Sequence, residues 1–157
     1  MSKDGTLEVW DDPATGGWSR PPPFEQGDAG LVPTADDYLA FVQLLLGGGK
    51  YGERQRLSAD AVRAMTTNHL TPAQRKDGVM ILQEGQGWGY GMAVAAEDRP
   101  NGSPKGSIGW TGGYGSKWES DPRRGLTTIL LTQRMWDGPK PAPIFETFEQ
   151  DARKLAE

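Results

Sequence analysis

The chain of 157 residues is one domain's worth of polypeptide, with no room for two independent cores. Its 36% apolar content and mean hydropathy of -0.62 are low for a self-contained globule, and 22 Gly and 12 Pro are many. The 17 basic and 21 acidic side chains leave a net charge of -4, which excludes nucleic-acid binding by bulk positive charge. No apolar run approaches the roughly 18 residues of a membrane span, and Met1-Ser2-Lys3-Asp4-Gly5 lacks an apolar leader core, so no membrane contact and a cytoplasmic location are expected. The absence of cysteine excludes disulfides, Cys-ligated zinc, iron–sulfur clusters and thiol catalysis. A single histidine, His69, speaks against a His-rich metal site or a His-based acyl-transfer triad. No metal or other cofactor is implied.

In chain order, residues 1–33 read as an extended arm within a single domain covering 1–157. Trp10-Asp11-Asp12-Pro13, Gly16-Gly17-Trp18 and Arg20-Pro21-Pro22-Pro23-Phe24 carry turn and polyproline signals rather than a helical period. A helical segment follows over 34–70. Thr34 is a capping residue, and Asp36 and Asp37 suit the positive end of the helix dipole. Tyr38, Phe41, Val42 and Leu45 recur at helical spacing, and Gly47-Gly48-Gly49 ends the helix. Capping explains the adjacent carboxylates better than a catalytic dyad, because neighbouring helical positions diverge by about 100°. A second helix starts at Ser58, with Leu57 and Val62 placed as a hydrophobic staple, and closes near Thr66-Thr67-Asn68-His69. His69 is expected to make a local hydrogen bond or to stay solvated.

Over 85–157 the pattern predicts a sheet with a C-terminal helix. Trp88, Tyr90, Met92 and Val94 alternate with glycine and alanine from Gly85 to Ala95, the period of a strand with one bulky and one bare face. A bare face admits close approach of another backbone or a ligand. The repeated glycines are not a phosphate loop, since no helix N-terminus follows them. Two strands over 107–111 and 116–120 are joined through Gly112-Gly113-Tyr114-Gly115, and a further strand runs from Leu126 to Thr132. Phe145, Phe148, Ala152 and Leu155 then share one side of a final helix. The predicted fold is α+β, with two helices, an antiparallel sheet of about four strands and a helix packed on it.

A search for an activated nucleophile finds none. No serine stands in a Gly-x-Ser-x-Gly elbow, and none precedes a lysine by three residues, the spacing that sets hydroxyl and amine side by side on a helix. Catalytic residues are therefore expected to be absent from this chain.

Ile108-Gly109-Trp110-Thr111-Gly112-Gly113-Tyr114-Gly115-Ser116 carries the strongest motif. Together with Gly30-Leu31-Val32-Pro33-Thr34-Ala35-Asp36-Asp37-Tyr38 and the segment from Leu57-Ser58 to His69-Leu70, it resembles the C-terminal portion of the serine β-lactamase-like superfamily of class C β-lactamases, D,D-peptidases and esterases. The resemblance runs from about Trp10 onward and implies a partial β-lactamase/transpeptidase-like fold. Such families use a Ser-x-x-Lys helix, a Tyr-containing motif and a Lys-Thr-Gly-type strand. Trp110-Thr111-Gly112 is similar to the third, with Trp where β-lactamases carry Lys. An indole supplies no positive charge for a β-lactam carboxylate, which favours the esterase branch.

By this resemblance Trp110, Thr111, Gly112, Gly113 and Tyr114 form the substrate-binding, oxyanion-side wall. The Gly113 amide would be one oxyanion donor, Thr111 would line the pocket and Tyr114 would shape it. The implied function is that of the C-terminal part of a serine hydrolase acting on a small ester or amide. The alternative is a non-catalytic ligand-binding or regulatory module derived from that fold. An uncovered sheet edge and apolar helix faces would invite a completing N-terminal half or self-association.

Overall fold

The computed structural model describes residues 5–25, 30–137 and 142–156. They fall into two compact units, Met1–Thr34 and Ala35–Glu157. The first is organised around two aspartates. The Asp12 carboxylate accepts from the N–H groups of Ala14 and Thr15, both at 2.9 Å, and Asp11 accepts from the Gly17 N–H at 2.7 Å. These bonds hold the turn that leads into a short 3-10 helix, Gly17–Ser19.

The second unit opens with α1, Ala35–Leu46; of the predicted stripe, Val42 and Leu45 face the core and Tyr38 packs against it, whereas Phe41 is 39% exposed. The helix stops where the glycines were expected to stop it. Gly48 and Gly49 take φ values of 63° and 91°, and the Gly47, Gly48 and Gly49 N–H groups bond back to Gln43, Leu45 and Leu44. A small hairpin that the sequence pattern did not announce follows, β1 (Lys50–Tyr51) with β2 (Arg54–Gln55). Next is α2, Ala59–Met65, whose Ser58 cap accepts from the Ala61 N–H at 3.1 Å. A third helix, α3 (Pro72–Asp77), was also unforeseen. Its local code is nonetheless complete, with a reciprocal Thr71–Gln74 capping box and proline in the first turn.

The period-two run from Gly85 to Ala95 forms two strands rather than one. β3 (Gln86–Trp88) and β4 (Ala93–Ala95) pair antiparallel, Trp88 opposite Ala93, and the chain reverses through residues 89–92 with Gly91 at φ 88°. Glycine at that position made the reversal accessible, and strand alternation alone does not reveal it. With β5 (Ile108–Gly112), β6 (Ser116–Asp121) and β7 (Leu126–Leu131) they make an antiparallel meander in the order β3-β4-β5-β6-β7. The fold is α+β as expected, with five strands in the sheet because the first predicted strand is a hairpin. The C-terminal helix α4 spans Ile144–Leu155.

The two sheet faces differ in chemistry. Trp110 stands opposite Trp118, and these indoles face Val42, Leu45 and Val62 in one cluster with Met92, Val94 and Ile108. On the other face Thr111 stands opposite Lys117 and Gly109 opposite Glu119, and this face meets α4. The helix buries Phe145 as predicted, but Leu155 is 90% exposed and Glu149 is buried in its stead. Glu149 lies one helical turn from both Phe145 and Arg153, so the face of α4 turned to the sheet is half ionic.

Candidate functional site: the Trp110–Tyr114 strand and turn

The Trp110-Thr111-Gly112-Gly113-Tyr114 segment begins as strand and ends as turn. All of Ile108–Gly112 pairs with β6, but β4 accompanies β5 only as far as Gly109. Beyond that point the side of Trp110, Thr111 and Gly112 turned toward β4 carries no ladder among the described residues. That stretch of backbone at the centre of the sheet thereby has a paired strand on one side only among the described residues. The β3–β4 hairpin is short enough to leave this gap because it turns at residues 89–92.

Trp110 is half-buried, its ring 4.6 Å from that of Trp88 in an edge-to-face arrangement. Trp88 is held by Asn68, whose side chain accepts from the Trp88 N–H at 3.1 Å and from the Leu70 N–H at 3.0 Å. The His69 N–H bonds the Trp88 carbonyl at 2.8 Å, and the Tyr90 N–H bonds Met65 at 3.1 Å. The bare face foreseen for this glycine-rich run is therefore occupied by the chain leaving α2. A side chain at Gly87 or Gly89 would overlap Asn68 or the Met65 carbonyl. His69 is exposed. It bonds the Ala64 carbonyl through Nε2 at 2.7 Å, the local bond expected of it, and stacks on Tyr90 with ring centres 4.4 Å apart.

The five motif residues do not share one surface. Trp110 is on the face of α1 and α2, and Thr111 is on the opposite face beside Lys117. Gly113 and Tyr114 lie in the exposed turn, Tyr114 at 55% exposure. Among the described residues, no heavy atom other than those of its chain neighbours comes within 4 Å of the place a Gly113 Cβ would take. The Gly112 carbonyl accepts from the Gly115 N–H at 3.0 Å, and the Gly113 carbonyl from the Trp136 N–H at 3.0 Å. Gly115, at φ 96°, lies against the carbonyl of Arg134 and the hydroxyl of Thr132. The loop after β7 thus packs on the motif turn. Sequence reading missed this because nothing local to 132–136 signals it.

Beneath α4 lies a line of alternating charge. Arg99 is 3.7 Å from Glu119, Glu119 is 2.5 Å from Arg153, Arg153 is 2.6 Å from Glu149, and Glu149 is 3.3 Å from Lys117. Thr128 donates to Glu149 at 3.1 Å. Burial pushes the Glu149 carboxyl above its ordinary range and Glu119 adds to the rise, against Lys117 and Arg153. Burial likewise draws the Arg99 guanidinium down, opposed first by Glu119.

Three of the described serines hold structural positions. Ser58 caps α2, and Ser120 shares a hydrogen bond with Thr127 at 2.8 Å. Ser103 is fully buried and donates to Glu119 at 2.7 Å, while Arg153 donates to it at 2.9 Å. Ser107 is buried with no partner for its hydroxyl among the described residues. Lysine and histidine make no recorded hydrogen bond to a serine hydroxyl among them. No helix among the described residues is long and apolar enough to cross a membrane.

Comparison with known proteins gives the family and the fold. Protein Rv1367c of Mycobacterium tuberculosis is 37% identical over 124 residues, 74% of this chain and 31% of that protein. Esterase EstB of Burkholderia gladioli is 32% identical over 128 residues, 76% of this chain and 28% of EstB. The chain therefore spans about three-tenths of the length of these curated relatives. Among solved structures, EstCE1, described as a hydrolase with promiscuous acyltransferase activity, superposes with a TM-score of 0.66 at 26% identity over 87% of this chain and 34% of its own. Simvastatin synthase from Aspergillus terreus, at 22% identity, 73% of this chain, 31% of its own and a TM-score of 0.55, shares the fold. The Beta-lactamase family model matches residues 3–145, and this chain belongs to the Beta-lactamase family.

Proposed function

We propose that this chain supplies the third-motif strand and the oxyanion-side wall of a serine hydrolase acting on a small ester or amide, with the nucleophile contributed by a Ser-x-x-Lys segment that its sequence does not contain. The observation that carries the reading is the open edge of Trp110, Thr111 and Gly112 where β4 stops at Gly109. An acyl substrate lying along that edge would place its carbonyl oxygen near the Gly113 N–H. The charge that develops on that oxygen during serine attack is stabilised by fixed amide donors. Trp110 on the strand, rather than a cation, gives an apolar wall suited to an ester. Similarity to Esterase EstB supports the ester over the β-lactam.

The completing partner is a polypeptide bearing the Ser-x-x-Lys helix. Two surfaces suit it. β7 has a strand on one side only, and Phe41 and Leu46 of α1 are 39% and 38% exposed. Neither nucleic acid nor a membrane enters this reading, and no metal or cofactor is required by it.

The test uses a fluorophosphonate probe and a p-nitrophenyl ester on purified chain, alone and mixed with a family segment bearing Ser-x-x-Lys. Labelling and ester turnover are expected only in the mixture, with the label on the added segment. Labelling of this chain alone on one of its own serines would refute the proposal. Ester binding by the chain with no turnover in an assembled mixture would instead favour a non-catalytic binding module.

A further inference from the structure

The turn that presents the Gly113 N–H contains two adjacent glycines, the residue type with the widest backbone freedom. An amide donor is useful to a developing oxyanion only if its direction is fixed beforehand. We propose that Thr132 and Trp136, in the loop after β7, are positioning residues that fix the direction of the Gly113 N–H by holding the carbonyls of Gly113 and Gly115. This rests on the acyl-transfer reading above and assigns to that site two residues outside its motif.

The geometry is that of a brace. Thr132 gives Gly115 two hydrogen bonds, from its N–H at 2.9 Å and from its hydroxyl at 2.7 Å. Four residues on, the Trp136 N–H bonds the Gly113 carbonyl at 3.0 Å. Inside the turn, the Gly115 N–H bonds the Gly112 carbonyl at 3.0 Å. A trans peptide sets its N–H opposite its C=O in one plane. With the Gly112 carbonyl directed into the turn, the Gly113 N–H of the same peptide points away from it. The Trp136 bond then fixes the next peptide plane, so the Gly112–Gly113–Tyr114 backbone is held from both sides of Gly113. The Gly113 N–H itself has no backbone partner among the described residues, and apart from its chain neighbours none of their atoms lies within 4 Å of the place a Gly113 Cβ would take. Gly115 is required by the same brace, because a Cβ there would strike the Arg134 carbonyl and the Thr132 hydroxyl.

The brace distinguishes the two residues chemically. Thr132 acts through a hydroxyl that valine lacks at nearly the same shape. Trp136 acts through a main-chain N–H that phenylalanine keeps and proline lacks. The experiment is amide NMR on the whole chain, reading hydrogen exchange at Gly115 and order parameters at Gly113 and Gly115, with phenylphosphonate titrated as an oxyanion mimic. Thr132→Val and Trp136→Pro are expected to speed exchange in the turn about tenfold, the scale of one lost hydrogen bond, and to weaken phenylphosphonate binding several-fold. Trp136→Phe is expected to leave both readouts near the parent values, and the β5–β6 amides from Lys117 to Ser120 serve as a fold control.

Unchanged order and unchanged phenylphosphonate affinity in Thr132→Val and Trp136→Pro would overturn the brace, as would a Trp136→Phe chain that loses both. If Trp136→Pro does not fold, Thr132→Val alone decides. If the variants loosen the turn but the parent Gly113 amide never responds to phenylphosphonate, the brace stands and the acyl-transfer reading fails.

Discussion

Arg153, in the last turn of α4, lies 2.5 Å from Glu119 at the centre of β6 and 2.6 Å from Glu149 on its own helix. One guanidinium thus serves two buried carboxylates, and it also donates to the Asn101 carbonyl at 2.8 Å. This arrangement joins the C-terminal helix to the sheet. Such groups are costly to take out of water, and they are tolerated because each carboxylate meets a cation and further donors.

Removing that cation leaves two carboxylates short of a partner. Arg153→Met is expected to destabilise the fold by about 3–5 kcal/mol, read as a lower urea midpoint. Lys117→Met is expected to cost less, because Glu149 keeps Arg153 and Thr128. Equal losses in the two variants would show that the pairs act independently of the shared guanidinium.

Glu149 gives the array a pH signature. Its folded pKa is raised above the ordinary 4.5, first by burial, so the folded chain binds that proton more tightly than the unfolded chain does. The contribution is fully present below about pH 4.5 and is lost as pH rises through the folded value. Glu149→Gln should therefore gain stability relative to the parent as pH climbs out of the acid range. Urea melts of both chains at several pH values measure this, and parallel profiles would contradict it.

The glycine-rich hairpin is explained by close packing on the α2 exit. Gly89→Ala would press a methyl group into the Met65 carbonyl and disturb the bond from the Tyr90 N–H. A loss of about 1–3 kcal/mol is expected, seen as a lower melting temperature. Gly113→Ala, with open space around it, should leave the melting temperature within about 2 °C of the parent.

Trp110 has a stability role beside its proposed place in the site. In a completed enzyme, Trp110→Lys should tighten binding of carboxylate-bearing β-lactams by supplying the missing charge. It should also cost about 1–2 kcal/mol, since the edge-to-face contact with Trp88 is lost. Inhibition constants and thermal melts on Trp110→Lys and Trp110→Met separate the two effects. No gain in β-lactam affinity over the Met variant would count against aligning Trp110 with the family's lysine.

The sequence alone determined the elements whose signals are local. α2 begins at its Ser58 cap and α1 ends at its glycines because a few neighbouring dihedrals and hydrogen bonds decide a helix end, and β5 to β7 follow their turns for the same reason. The motif from Trp110 to Tyr114 was legible as well, being contiguous in the chain. Tertiary structure decided the rest. That the run from Gly85 to Ala95 folds on itself depends on Asn68 and Met65 filling the space beside its glycines. That Glu149 rather than Leu155 turns inward depends on Lys117 and Thr128 of the sheet being there to receive it. That the Gly113 carbonyl is held depends on Trp136 returning from the far end of β7. Each is a bond between residues more than a helical turn apart in sequence or between different elements, and local propensity has no access to the free energy of a group whose partner the fold supplies.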